Sequence, residues 1–326
     1  HLMDIYVKKA IIHQFSPDDT DLYLADKFLN ITPKIEEYLR KKIERVYSDE
    51  ARTGIFEEDN PFLEMISDDL LETSVVVANR WKEEFVVSEN QKTNDLVFIQ
   101  FSKEGVDHFA FLRIALRETL THLGGEVDNP IKLTQNNLPG FGTGADEALV
   151  INLQSRKYHL IEKRIKYNGT FLNYFSENLL QAQPKISPKK SIKALEKTAQ
   201  KIAESFNTDD FQFQSKVKSA IFNHIEEENK LSPEKLANDL FDDNLTARLS
   251  FIDQVKEAVP EPVTFEEIDA SRQLKKFENQ KLSLSNGIEL IVPNNVYEDA
   301  ESVEFILNEN GTYSILIKNI EDIQSK

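Results

Sequence analysis

The chain has no cysteine, so disulfide bonds, thiolate catalysis and cysteine-ligated zinc or iron–sulfur centres are excluded. A reducing interior suits such a chain. No apolar run approaches the roughly 20 residues needed to span a bilayer, and no basic-then-apolar leader opens the sequence. A cytoplasmic protein with no membrane partner is expected. His1-Leu2 ahead of Met3 reads as a cloning remnant, which puts the expected native start at Met3. Glycine is scarce, ten in 326 residues, and there is a single tryptophan. Basic residues are also outnumbered: 39 Lys and Arg against 56 Asp and Glu give a net charge of −17. A charge of that sign repels nucleic acid wherever positive side chains are not gathered.

They are gathered in one stretch. Positions 156–201 hold eleven basic residues, Arg156, Lys157, Lys163, Arg164, Lys166, Lys185, Lys189, Lys190, Lys193, Lys197 and Lys201, against Glu162, Glu177 and Glu196. The local charge is +8, whereas the remaining 28 basic and 53 acidic residues leave −25 elsewhere. Local field rather than net charge steers association, so these eleven residues are the candidate contact for a polyanion such as DNA.

An apolar content of 40% and a charged content of 29% are those of folded domains. The patterning predicts an α+β protein: a mixed N-terminal domain with an antiparallel sheet and helices (3–183), a helical region (187–259) and a small strand-rich C-terminal domain (263–323). Residues 4–15 read as a strand and 22–24 as a second short one. Thr32-Pro33 opens a helix, with Thr as cap and Pro at the first position. Ile35, Tyr38, Leu39, Ile43 and Val46 line one face of it, and Arg40, Lys41, Lys42 and Arg45 read as a solvated surface interleaved with Glu36, Glu37 and Glu44. A helical region follows over 60–85, with Trp81 as core. Residues 96–101 and 108–116 predict a hairpin around Gly105, and 148–154 with 158–165 predict another, putting Lys157 and His159 on a strand edge. A short helix over 171–180 ends at a linker, 183–188.

Beyond the linker, Ile192, Leu195, Ala199, Ile202 and Phe206 predict the buried face of a helix. Lys189, Lys193, Lys197 and Lys201 recur on the opposite side. Further helices are expected over 211–225, from Ser232-Pro233, and over 246–258. Pro260-Glu261-Pro262 marks a boundary, after which 281–284, 288–292, 302–307 and 313–317 read as strands, with a type I′ turn at Asn310-Gly311. Apolar faces on the middle helices make a homodimer a further expectation.

Catalytic signatures are few. The one glycine-rich run, Gly140-Phe141-Gly142-Thr143-Gly144, is followed by Ala145-Asp146 rather than Lys-Ser/Thr, lacks a preceding strand, and reads as a flexible connection. His13, His108, His122, His159 and His224 are scattered. The pairs Glu118/His122 and His159/Glu162 lack a third ligand, so structural roles and no metal are expected. Asp68-Asp69, Asp209-Asp210 and Asp242-Asp243 sit near helix starts, where they complement the helix dipole. Neither an enzyme nor a cofactor is expected.

Three C-terminal segments, Arg272-Gln273-Leu274-Lys275-Lys276-Phe277-Glu278-Asn279-Gln280, Asn286-Gly287-Ile288-Glu289-Leu290 and Gly311-Thr312-Tyr313-Ser314-Ile315-Leu316-Ile317-Lys318, resemble the bacterial nucleoid-associated NdpA/YejK family. The opening Ile5-Tyr6-Val7-Lys8-Lys9-Ala10-Ile11-Ile12-His13 and the Tyr158-His159-Leu160-Ile161 region are similar to it too. The resemblance implies a non-enzymatic, cytoplasmic, nucleoid-associated protein whose partner is DNA, touched directly or indirectly. The acidity of the whole chain keeps a second route open, in which an acidic module docks on a DNA-processing protein such as a topoisomerase.

Overall fold

A computed structural model of the chain describes residues 4–86, 88, 92–125 and 127–326. The expected start at Met3 lies outside the described residues. Two compact units are present, His1–Ser187 and Pro188–Lys326, and each has its own core.

The first unit runs β1 (Ile5–Ser16), β2 (Asp21–Tyr23), α1 (Pro33–Glu44), β3 (Arg52–Ile55), α2 (Pro61–Glu64), α3 (Leu70–Phe85), β4 (Asn94–Lys103) and β5 (Val106–Ala115). Then come β6 (Arg117–His122), β7 (Ile131–Asn137), β8 (Glu147–Asn152), β9 (Lys157–Ile161), β10 (Ile165–Tyr167), β11 (Thr170–Leu172) and one wide helical turn, Phe175–Leu179. Seven strands form an antiparallel sheet in the order β2-β1-β4-β5-β8-β9-β3. The predicted mixture of helices and antiparallel sheet is what the chain adopts.

Helices cover both faces of this sheet, which is why its strands read as near-continuous apolar runs rather than alternating ones. Leu96, Phe98, Phe109, Phe111, Leu149 and Ile151 join Trp81 and Phe85 of α3 in one core. Val97, Ile99, Ala110, Leu112 and Val150 join Leu39 and Ile43 of α1 in the other. In β1 a bulge between Val7 and Lys9 switches the parity. Ile5 and Val7 face the α1 side, but so does Ala10, while Ile11 and Phe15 face α3.

Thr32 Oγ1 accepts the Ile35 N–H at 3.4 Å and Pro33 takes the first helical position, as the sequence predicts. The 60–85 region is two helices rather than one, because Asp69 restarts the chain by capping Glu72 N at 3.2 Å. A further difference concerns Asn168-Gly169. Both residues have positive φ, 49° and 78°, and they form the two-residue turn of the β10/β11 hairpin. Phe171 is therefore on a strand, and only the residues after Tyr174 turn helically.

The second unit contains α4 (Pro188–Ser205), α5 (Phe211–Glu228), β12 (Lys230–Leu231), α6 (Pro233–Leu240), α7 (Leu245–Val255), β13 (Val263–Thr264), α8 (Ser271–Phe277), β14 (Asn279–Ser283), β15 (Glu289–Pro293), α9 (Asn294–Tyr297), β16 (Val303–Leu307) and β17 (Tyr313–Ile317). Asp210, Ser232 and Asn244 cap α5, α6 and α7. Ile192, Leu195, Ala199 and Ile202 of α4 are buried with Ile221, Leu236, Phe251 and Phe277. That face of α4 is covered within the unit, whereas Leu245 and Leu249 of α7 stay exposed, at 63% and 57%. Phe206 lies past the end of α4 and is 36% exposed, and Ala203 takes its place in the core. Between β16 and β17 only Gly311 is left-handed (φ 80°), so the turn is a type I turn closed by glycine rather than type I′. Gly287 (φ 87°) closes the β14/β15 turn in the same way.

Candidate nucleic-acid interface

Of the eleven basic residues, Lys189, Lys190, Lys193, Lys197 and Lys201 belong to α4, and all five are exposed. A four-residue step advances about 6 Å along a helix and about 40° around it, so the series Lys189, Lys193, Lys197, Lys201 winds through about 120° over about 18 Å. Duplex DNA carries roughly ten phosphate charges in that length, enough for each lysine to meet its own. Lys193, Lys197 and Lys201 make no ion pair among the described residues. Neighbouring carboxylates are engaged elsewhere: Glu196 pairs with Lys276 of α8 at 3.3 Å, and Glu204 accepts from Gln200 at 3.2 Å. The first of these pairs places the basic end of α8, with exposed Lys275 and Lys276, beside α4. Sequence reasoning missed these two lysines as part of the site, since nothing in their spacing says where a short helix 80 residues away will pack.

The other six basic residues lie in the first unit and do different things. Arg156 has a left-handed backbone (φ 63°), donates Nη1 to Phe56 O at 3.1 Å and stands 3.8 Å from Glu58. It ties the β8/β9 turn to the chain after β3. Lys157 is half-buried on β9, opposite Ile55. That strand is not an edge: it lies between β8 and β3, and His159 is buried with its ring 4.7 Å from Tyr47. Lys163 pairs with Asp146 at 2.9 Å, and this hydrogen bond holds the Asp146 carboxyl below its usual range against the opposing effect of burial. Arg164 and Lys166 are exposed at and on β10, and Lys185 is exposed where the chain bridges to Thr53.

A buried polar network anchors this part of the unit. Arg113 Nε donates to Glu147 Oε1 at 2.6 Å, Tyr174 donates to the same oxygen, and Trp81 Nε1 donates to the Tyr174 hydroxyl at 3.1 Å. Glu147 Oε2 accepts Lys163 N–H at 3.1 Å. Burial pushes the Glu147 carboxyl up, and the Arg113 guanidinium pulls the other way. Glu162 accepts from Arg52 at 2.6 Å and from Ser176 N and Oγ at 2.9 and 2.7 Å. Lys163, Glu162, Tyr174 and Ser176 flank the β10/β11 hairpin on both sides, so its feet are held by charge-assisted hydrogen bonds.

The glycine-rich run is no free connection. Lys42, expected on a solvated surface, is buried and donates Nζ to Gly140 O at 2.7 Å and to Thr143 O. Tyr38 donates to Pro139 O at 2.8 Å, and Phe141 lies within 5.8 Å of Lys34 and 5.4 Å of Lys41. Burial brings the Lys42 ammonium down to about 8 and the Tyr38 hydroxyl up to about 12.

The remaining titratable groups are placed structurally. His13 is buried between Ser74 Oγ (2.8 Å) and Ala25 N–H (3.0 Å), which lowers its basicity. Glu118 and His122 are on a strand, not a helix. Asp69 and Asp210 are helix caps. Among the described residues no group of three His, Cys, Asp or Glu side chains is disposed to hold a metal ion. A cleft of about 450 Å³ in the second unit is lined by Lys216, Asn223, Asp239, Tyr297, Glu298 and Phe305. Its charges are engaged at the rim: Lys216 with Asp242 at 3.3 Å, Asp239 with His224 at 2.5 Å.

The class so defined is a two-unit α+β protein whose distinctive chemistry is cationic surface in an acidic chain. A family model described as the nucleoid-associated protein YejK matches residues 11–323, nearly the whole length. The chain belongs to that nucleoid-associated family. No curated protein matches it. Among the described residues no helix is long and apolar enough to cross a membrane.

Proposed function

We propose that the protein binds DNA with little regard for base sequence, without catalysing a reaction on it, in the cytoplasm at the nucleoid. The observation that carries this reading is the row of exposed ammonium groups on α4, three of them without an ion pair among the described residues, in a chain of net charge −17. Arg164, Lys166 and Lys185 of the first unit add exposed cations of their own. Lysine contacts to phosphate carry no base information, which accounts for the expected lack of specificity. Reversing Lys193, Lys197 and Lys201 to Glu is expected to weaken duplex binding at least tenfold at constant salt. Arg156→Gln, at a side chain already occupied by Phe56 and Glu58, is expected to leave binding within twofold. Equal affinity of the triple variant and the parent protein would remove α4 from the interface.

A second reading has support from the C-terminal hairpin, where Ile306 and Leu316, 39% and 48% exposed, share one face with Glu304, and exposed Glu301 and Glu309 lie at its ends. An acidic rim around exposed apolar side chains suits a basic protein partner, such as a DNA-processing enzyme of the topoisomerase kind. Co-purification of such an enzyme that survives nuclease digestion and is lost on Leu316→Ser would favour it.

A further inference from the structure

The β10/β11 hairpin has two unlike faces. Its register pairs Ile165 with Leu172, Lys166 with Phe171 and Tyr167 with Thr170 across the Asn168-Gly169 turn. Side chains alternate along a strand, so Lys166 and Phe171 share one face and Ile165, Leu172 and Tyr167 share the other. The second face looks inward, with Ile165 only 7% exposed and part of the core below. Outward, Phe171 is 61% exposed, more than Tyr167 at 38%. Lys166 and Arg164 are exposed too, and they stand two positions apart, about 6.7 Å along an extended chain.

A lone exposed phenylalanine asks for no explanation. This one is distinguished by its company. It is directly opposite Lys166 in the ladder, with exposed Arg164 just before the strand, on a hairpin whose two feet are fixed by Glu147 and Glu162. A rigid aromatic face beside two positive charges matches one ligand chemistry closely: an uncovered base, which offers a π-face, with phosphates on either side. In a duplex the base faces are stacked on one another and out of reach of an aromatic ring.

We propose that this outer face is a contact for unpaired DNA, in which one base stacks on Phe171 while Arg164 and Lys166 take the flanking phosphates. The inference rests on DNA being the partner and adds a strand preference to it. It also names an aromatic residue outside the lysine-rich series, one that sequence reading had assigned to a helix.

Anisotropy titrations of the full chain with a labelled thymidine homo-oligomer and a duplex of equal length test it. Phe171→Ala is expected to weaken homo-oligomer binding roughly tenfold, the size of one lost base–aromatic stack, and to change duplex binding less than twofold. Phe171→Trp is expected to keep homo-oligomer affinity, and its exposed indole emission is expected to be quenched by the homo-oligomer but not by the duplex. A Phe171→Ala protein that binds the homo-oligomer as well as its parent would overturn the proposal. So would an equal loss for both ligands. A protein that binds duplex but not homo-oligomer would sink this inference and leave general DNA binding standing, whereas one that binds neither would sink both.

Discussion

Arg113 and Glu147 face each other directly across β5 and β8, both buried, with 2.6 Å between Nε and Oε1. Around this pair Asn94 accepts from Arg113 Nη1 at 3.0 Å, and Tyr174 and Lys163 N–H donate to the Glu147 carboxylate. Removing one partner leaves the other charged and buried. Glu147→Gln is expected to cost about 3–5 kcal/mol, and replacing both residues by apolar ones of similar volume is expected to cost less than the two single changes together. Urea unfolding monitored by the fluorescence of Trp81 measures all three. A cost below about 1 kcal/mol for Glu147→Gln would contradict the anchoring role given to the pair.

Gly54 is opposite Tyr158 in the β3/β9 ladder, and the ring lies over it. A Cβ on residue 54 would stand 2.4 Å from the Tyr158 hydroxyl oxygen and 2.5 Å from Cζ. Tyr158 is 1% exposed and cannot retreat into solvent. Gly54→Ala is therefore expected to destabilise by about 1–3 kcal/mol, the usual cost of forcing extra volume into a packed core. The double variant Gly54→Ala with Tyr158→Leu is expected to recover part of it. A Gly54→Ala melting temperature equal to that of the parent would show that the ring moves freely.

Lys42 loses its proton more easily in the fold than in the unfolded chain, at about 8 against an ordinary 10.5, because burial penalises the ammonium. Between those two pH values the unfolded chain holds more protons, so this group's contribution to stability rises as pH rises from 8 to 10.5 and is at its least favourable below 8. Lysine-selective NMR titration is expected to find one resonance titrating near 8 that is absent from Lys42→Met and moves to the ordinary value in urea. A folded protein whose lysines all titrate above 10 would contradict the burial assigned to Lys42.

Much of this architecture is legible in the chain. Thr32-Pro33 and Ser232-Pro233 mark helix starts, the stripe from Ile192 to Ile202 marks the buried side of α4, and Gly105 marks a hairpin. What was not legible shares one cause, which is that local signals do not report distant partners. Lys42 carries a charge and follows Arg40 and Lys41, so it reads as surface; it is buried because carbonyls about 100 positions later come to meet it. Asn168-Gly169 is a hairpin signal, but strands of three residues on either side are too short to show a period, and the aromatic run after them imitates a helix. The eleven basic residues are contiguous in sequence, yet the chain divides them between two units. Only five lie on α4, four of them at a four-residue spacing, and Lys276 of α8 is paired beside them with Glu196.

The most direct test of the central claim is the salt dependence of duplex DNA affinity. Each phosphate neutralised contributes about −0.9 to the slope of log K against log salt. The protein is expected to give a steep negative slope, and Lys193→Glu, Lys197→Glu, Lys201→Glu together are expected to make it shallower by about 2.7, three lysines at that increment. A slope near zero for the parent protein, or one left unchanged by the three reversals, would contradict direct phosphate contact by α4.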